Sequence, residues 1–242
     1  LLAVVFAAEP PRQGKTYRSP WDVAYSPDGA MLAVSDRTAG EVVLFDSAGK
    51  SARQRVALKM PAALAWAADS KKLYAVEYGA GAVAEISAAD GKVLRRFPVG
   101  PYPTGVAVAA KKNLLLATST ALGDVRVIDL GSGNQTKRIK ASREPFWVAV
   151  TPDESMAVVS NLLPAGPAIE PLTTTPLTLI DLNKLEKVAE VPLPPNTGSI
   201  RQVAISPDGA WAYAVHTVGR TTLPATQLER GWVNTNALSI VD

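Results

Sequence analysis

The chain has 242 residues, of which 47% are hydrophobic and 19% are charged, with a formal net charge of +3. It contains no cysteine, which excludes disulfides, thiolate metal sites and Cys-x-x-Cys-His attachment of haem within these residues. Its basic pairs lie at turns or on outer strands without interleaved aromatic residues, which favours solubilising charge over a nucleic-acid surface: Lys71–Lys72, Arg95–Arg96, Lys111–Lys112 and Lys137–Arg138.

The N-terminal segment is apolar from Leu1 to Ala8 and then leads into Glu9-Pro-Pro-Arg12. We interpret residues 1–8 as a signal-peptide remnant with cleavage near Ala7 or Ala8, and a stray edge strand is the alternative. This segment is too short to span a bilayer. The interpretation predicts an exported bacterial protein, periplasmic or extracellular, in which residues 9–19 form a linker or an edge strand.

A unit of apolar strands and a tight turn recurs along the rest of the chain. The turns begin at Ser26, Ala67, Ala109, Thr151 and Ser206, which gives steps of 41, 42, 42 and 55 residues. A period near 40 residues with three or four short strands per unit is typical of β-propeller blades. We therefore predict an all-β fold, a β-propeller of four-stranded blades over residues 20–242, with blades at about 20–60, 61–102, 103–144, 145–199 and 200–242.

The strands of each unit, a to d, differ in character. Strand a combines Val with small Ala residues that suit the crowded axis, and strand b is apolar almost throughout, which suits burial on both faces. Strand d alternates with polar residues and belongs at the rim. The last unit stops at Asp242, where its strand c ends. We expect the five blades to belong to a seven-bladed propeller; the alternative is that residues 12–19 supply the missing strand of a closed five-bladed ring.

Two insertions interrupt the repeat, both between strands b and c, at Asn161–Pro176 in the fourth blade and His216–Asn236 in the fifth. In a propeller the b–c and d–a connections open on one face, and the a–b and c–d turns on the other. Insertions on one face of a repeat array usually mark the binding face. The first insertion is rich in Pro and Thr and is typical of a stiff spacer.

The second insertion carries the predicted ligand- or partner-binding residues: His216, Arg220, Gln227, Glu229, Arg230, Trp232, Asn234 and Asn236. Arg and Trp dominate interface hot spots, although Trp232 could instead pack its loop against the fifth blade. His216 is the only histidine, and no spacing of further ligands accompanies it, so we predict neither a metal site nor a catalytic residue. A hydrogen-bonding role for His216 stays open beside ligand contact.

The repeats resemble bacterial YVTN-type propeller repeats, as in Pro20-Trp-Asp-Val-Ala-Tyr-Ser-Pro-Asp-Gly29 and Pro103-Thr-Gly-Val-Ala-Val108. The stretch from Leu223 to Asp242, with His216 before it, is similar to a segment of exported propellers that precede a di-haem cytochrome c peroxidase-like region. The Tyr-Val-Thr-Asn string itself is absent. The resemblance implies haem c only in a region beyond Asp242, and no cofactor within this chain.

The repeats and insertions predict a non-catalytic binding scaffold that presents an interaction face, and the resemblance implies that it docks a c-type haem redox domain. Its partner would be another protein or a C-terminal domain of the same protein, with neither nucleic acid nor a membrane span involved. The alternative is a lactonase- or quinoprotein-like enzyme with an axial active site. An intracellular scaffold of the WD type is disfavoured by the missing Trp-Asp endings and the apparent export signal.

Overall fold

A computed structural model describes residues 17–167, 173–219 and 234–242. The described residues form nineteen strands and no helix, and the strands make five antiparallel sheets arranged as the blades of a β-propeller. The predicted all-β propeller with five visible blades is therefore confirmed. Four sheets have four strands, and the fifth has three within the described residues.

The strands follow one another along the chain and pair with their neighbours in sequence. Blade 1 contains β1 (Pro20–Tyr25), β2 (Met31–Asp36), β3 (Glu41–Asp46) and β4 (Ala52–Ala57). Blade 2 contains β5 (Pro61–Trp66), β6 (Lys72–Glu77), β7 (Ala82–Ser87) and β8 (Val93–Pro98). Blade 3 contains β9 (Pro103–Ala109), β10 (Leu114–Ser119), β11 (Asp124–Asp129) and β12 (Gln135–Lys140). Blade 4 contains β13 (Pro145–Val150), β14 (Met156–Asn161), β15 (Pro176–Asp181) and β16 (Glu186–Pro192), and blade 5 contains β17 (Thr197–Ile205), β18 (Ala212–Gly219) and β19 (Asn234–Val241).

The repeat period reappears as hydrogen bonds between neighbouring blades. The amide of Leu64 donates to Asp22 Oδ2 at 2.8 Å, the indole Nε1 of Trp66 donates to the carbonyl of Ala24 at 3.0 Å, and each pair is 42 residues apart. Four hydrophobic clusters fill the spaces between successive blades. Because each blade is held by its neighbours, the spacing of the strands is conserved along the chain while turn sequences differ.

Burial follows the position of each strand in its blade. Every residue of β10 is buried, whereas β12 and β16 are exposed along most of their length. Apolar side chains are exposed on the first strand, at Val23 and Tyr25, and on the fifth sheet, at Val215, Leu238 and Ile240. No hydrophobic cluster of the described residues joins the fifth blade to the first. The seven-bladed expectation stays a prediction, and the proposed closing segment 12–19 lies mostly outside the described residues.

Gly105 lies on β9 at a point where blades 3 and 4 approach each other closely. A Cβ atom there would lie 2.8 Å from the Phe146 carbonyl oxygen, 2.8 Å from the Trp147 Cα and 3.1 Å from Thr118 Oγ1. Since two of these atoms belong to the neighbouring backbone, Gly105→Ala is expected to lower the free energy of unfolding by about 1–3 kcal/mol, as overpacking does. Chemical denaturation measures the loss.

Gly198→Ala is the matched control, because a Cβ atom at Gly198 would meet nothing within 4 Å. We expect the stability of this variant to stay within about 0.5 kcal/mol of wild type. If the free energy of unfolding falls no more in Gly105→Ala than in Gly198→Ala, blades 3 and 4 can move apart at this point without cost.

Candidate binding site at the axial mouth

The start of strand a and the end of strand b lie together at one end of every blade. Pairing brings Pro20 opposite Asp36, Pro61 opposite Glu77 and Pro145 opposite Asn161, while the a–b turns lie at the other end. In blade 5, Thr197 is paired with Val218 at this same end. The described ends of the b–c insertions therefore share one face with the entrance to the propeller axis, which we call the axial mouth.

Buried polar side chains of the sheets stabilise the connections on this face. They occupy equivalent positions, seven residues after the a–b turn of each blade: Asp36, Glu77, Ser119, Asn161 and His216. Asp36 Oδ1 accepts the amides of Ser19 and Ala39 at 3.0 and 2.9 Å, and Asn161 Nδ2 donates to the Pro176 carbonyl at 2.8 Å. These bonds attach the b–c and d–a connections to the ends of the strands.

His216 belongs to this buried set. It is 3% exposed, and its Nε2 lies 2.8 Å from Ser239 Oγ on the neighbouring strand β19. Its Nδ1 lies 3.3 Å from the Thr217 carbonyl oxygen. The geometry favours a hydrogen-bonding role in blade 5 over direct ligand contact, although contact with a partner stays a prediction.

The axial mouth holds a cavity of about 410 Å³ whose wall includes four aromatic rings. Its lining residues come from four blades: Trp21, Arg37, Tyr78, Tyr102, Thr104, Thr120, Ala121, Glu144, Phe146 and Leu162. Most of these residues either open strand a or follow the end of strand b. The volume falls in the range of small-molecule sites, which is about 300–1,000 Å³.

A second, smaller cavity of about 280 Å³ lies among strand-a residues of blades 1, 4 and 5. It is lined by Trp21, Asp22, Phe146, Trp147, Arg201 and Gln202. The rings of Trp21 and Phe146 border both cavities, with centroids 6.2 Å apart. The large side chains of blades 1 and 4 therefore lie between the two cavities.

This arrangement is asymmetric because equivalent strand-a positions differ in size between blades. The positions of Trp21 and Phe146 are occupied by Ala62 in blade 2 and Thr104 in blade 3. Thr104 Oγ1 donates to the Phe146 carbonyl at 2.6 Å and lies 2.9 Å from Thr120 Oγ1. Hydrogen bonds therefore join blades 3 and 4 on the side of the mouth where the strand-a side chains are small.

Arg37 is the central cation of the mouth. Its guanidinium carbon lies 4.5 Å from the Trp21 ring centroid and 4.1 Å from the Tyr78 ring centroid. The Tyr78 ring in turn contacts Tyr102, with centroids 5.2 Å apart. Cation–π contacts of this kind attach a charge to an apolar wall without neutralising it.

Asp22 is the carboxylate that lines the smaller cavity. Burial raises the pKa of Asp22 above its ordinary value, against the opposing effect of hydrogen bonds from the backbone amides of Leu64 and Val23. Both carboxylate oxygens accept these amides at 2.8 Å, and the Asp22 amide donates to Ser35 Oγ at 3.0 Å. Asp22 thus joins blades 1 and 2, which limits its freedom to act on a ligand.

The structure describes three of the eight residues predicted to bind a ligand or partner. His216 is buried, whereas Asn234 and Asn236 are exposed on β19, opposite Gly219 and Thr217 at the same end of the blade as the mouth. Arg220, Gln227, Glu229, Arg230 and Trp232 lie outside the described residues. The prediction that this set forms a binding site stays a prediction.

Sequence reasoning missed the mouth residues Trp21, Arg37, Tyr78, Tyr102 and Phe146. The available signal was positional: in an otherwise Val- and Ala-rich strand a, large aromatic residues follow Pro20 and Pro145. Within the described ranges, no three His, Cys, Asp or Glu side chains gather where they could hold a metal ion. Across those ranges there is likewise no helix with the length and apolar character needed to cross a bilayer.

Comparison with solved structures shows the fold. Kuenenia stuttgartiensis hydrazine synthase is similar with a TM-score of 0.82 and 22% identity over 95% of this chain, which spans 66% of that protein's chain, slightly less than two thirds. The Cps50 (Swd1) β-propeller domain of Myceliophteria thermophila is similar with a TM-score of 0.66 and 14% identity, over 87% of this chain and 69% of that one. No protein-family model and no curated protein matches the chain.

Proposed function

We propose that this chain is an exported, non-catalytic β-propeller that binds a partner through the face carrying the axial mouth, and that the partner is a c-type haem redox domain. One observation carries the proposal: the axial mouth and the described ends of both insertions lie at the same end of the blades. Aromatic and Arg side chains at the centre of a surface are the usual anchors of protein interfaces. The haem partner is supported by the sequence resemblance, and export by the apolar segment Leu1–Ala8.

A purified di-haem cytochrome c peroxidase-like protein is the probe for this role. Binding would be measured by calorimetry with wild-type protein and with Arg230→Ala and Trp232→Ala, on the insertion side. We expect each substitution to weaken binding by at least about tenfold, the effect of losing one interface anchor. Cell fractionation tests export independently.

Lys71→Ala and Lys111→Ala are the control variants, because both residues lie at the a–b turns on the opposite face. We expect neither to change affinity. If the turn-face variants abolish binding while the insertion variants do not, the partner uses the other face. If wild-type protein does not bind the di-haem probe at all, the haem part of the proposal is wrong.

A second candidate is an enzyme with an axial active site, favoured by the smaller cavity and by the raised pKa of Asp22. A carboxyl group in such a setting is a candidate proton acceptor. The binding role accounts better for the described residues, because Asp22 already accepts two backbone amides.

A further inference from the structure

We propose that the axial mouth is a binding site for a small aromatic monocarboxylate, whose carboxylate pairs with Arg37 and whose ring packs against Tyr102 and Phe146. This site goes beyond the docking role, because it takes a free small molecule and needs no partner protein. The argument rests on the charge, the shape and the walls of the cavity.

Arg37 is an arginine of the described residues that lines a cavity, contacts two aromatic rings and forms no ion pair with a described carboxylate. Five other arginines form ion pairs with carboxylates: Arg18, Arg55, Arg95, Arg96 and Arg126. The Arg37 side chain is half-buried and packs against the rings of Trp21 and Tyr78. A guanidinium covered by rings keeps its N–H edge for hydrogen bonding, and that edge matches a planar carboxylate in a bidentate pair.

The walls of the mouth suit a flat apolar body next to that carboxylate. Tyr102 and Phe146 line the cavity beside Leu162 and Ala121, and aromatic rings favour offset or edge-to-face packing against another ring. The wall exposes more apolar than polar surface, as small-molecule sites usually do, and its charged groups are Arg37 and Glu144.

Glu144 favours a ligand with a single negative charge. This exposed carboxylate from blade 4 lines the same cavity as Arg37 from blade 1. Like charges repel across a partly desolvated cavity, so a dianion such as a phosphate monoester is disfavoured. A monoanion pairs with Arg37 and carries no second charge toward Glu144.

The test titrates wild-type protein with 3-phenylpropionate, its neutral amide and phenyl phosphate, and follows binding by calorimetry. We expect saturable binding of the acid with a dissociation constant of about 1 mM or below. The amide should bind at least about tenfold more weakly, because it forfeits the charge-assisted pair, and phenyl phosphate should also bind more weakly than the acid. This comparison uses wild-type protein alone and does not depend on the folding of any variant.

Arg37→Gln should bind the acid about tenfold more weakly and should no longer distinguish the acid from the amide. Arg53→Gln, the same change on the exposed outer strand β4, is the matched control and should bind as wild type does, with circular dichroism confirming that both variants fold. Three results would each overturn the proposal: no saturable binding up to about 10 mM, equal affinity for acid and amide, or unchanged affinity in Arg37→Gln. Loss of haem-domain docking with retained binding of the acid would refute the docking role and leave this site intact.

Discussion

Phe97→Ala is expected to lower the free energy of unfolding by about 3–5 kcal/mol, the usual cost of removing a buried aromatic ring. Phe97 is 1% exposed on β8 and belongs to the hydrophobic cluster between blades 2 and 3. Its ring centroid lies 6.4 Å from that of Tyr74, and the guanidinium carbon of Arg95 lies 4.7 Å from the Phe97 ring centroid. The substitution therefore opens a cavity where blades 2 and 3 meet, and denaturant unfolding measures the loss of stability.

Leu94→Ala on the same strand is the control. Leu94 is 52% exposed, so its removal should change stability by no more than about 0.5 kcal/mol. If the free energy of unfolding falls no more in Phe97→Ala than in Leu94→Ala, the Phe97 ring contributes little to the contact between blades 2 and 3. In a repeat fold each blade is stabilised mainly by its neighbours, so a defect between blades 2 and 3 weakens the whole array.

The fold was predictable because the repeat consists of the turn and strand residues that every blade needs. The a–b turns recur at steps of 41, 42 and 42 residues in the first four blades, and the apolar strand b between neighbouring blades has little freedom to vary. The Gly29 amide donates to the Ser26 carbonyl at 2.8 Å, and the equivalent bond in blade 5 joins Gly209 to Ser206 at 2.9 Å. Local propensity and the packing of blades therefore specify the same structure.

The axial mouth could not be predicted in the same way, because its residues differ from blade to blade. Trp21, Ala62, Thr104, Phe146 and Arg201 occupy one equivalent position, and no pattern within a single blade indicates which of them meet across the axis. The length of the insertions pointed to the correct end of the blades for a mouth, yet it directed attention to residues 216–236. Most of that segment lies outside the described residues, so its contribution stays a prediction.

Glu85 was also missed, although its signal is present in the sequence. It lies on strand c of blade 2, where blades 1, 3 and 4 carry Leu44, Val127 and Leu179. A carboxylate at an apolar position of a buried strand indicates a paired charge, because an unpaired one is too costly to bury. The sequence does not show which cations reach it, since Lys72 and Arg95 come from the strands on either side.

Glu85→Gln is expected to lower the free energy of unfolding at neutral pH by about 2–4 kcal/mol. Glu85 is 1% exposed; it pairs with Arg95, lies 2.7 Å from Lys72 Nζ and accepts the Tyr74 hydroxyl at 3.3 Å. The amide keeps the shape of the side chain but loses its charge. Because Lys72 and Arg95 reach solvent, the loss should stay below that of a fully buried pair. Glu190→Gln, which alters an exposed pair with Lys187, should change stability by no more than about 0.5 kcal/mol.

The loss in Glu85→Gln should depend on pH in one direction. Burial alone would raise the pKa of Glu85, but hydrogen bonds and charges from Arg95 and Lys72 outweigh burial and lower that pKa below its ordinary value. A carboxyl whose pKa is lowered by folding stabilises the protein above its unfolded pKa of about 4.3, and this stabilisation disappears as pH falls through the folded pKa. The difference in stability between wild type and Glu85→Gln should therefore be full at neutral pH and shrink in acid, because protonated Glu85 is neutral like Gln. A difference that stays constant or grows on acidification would mean that Arg95 and Lys72 do not hold this carboxyl in its charged form.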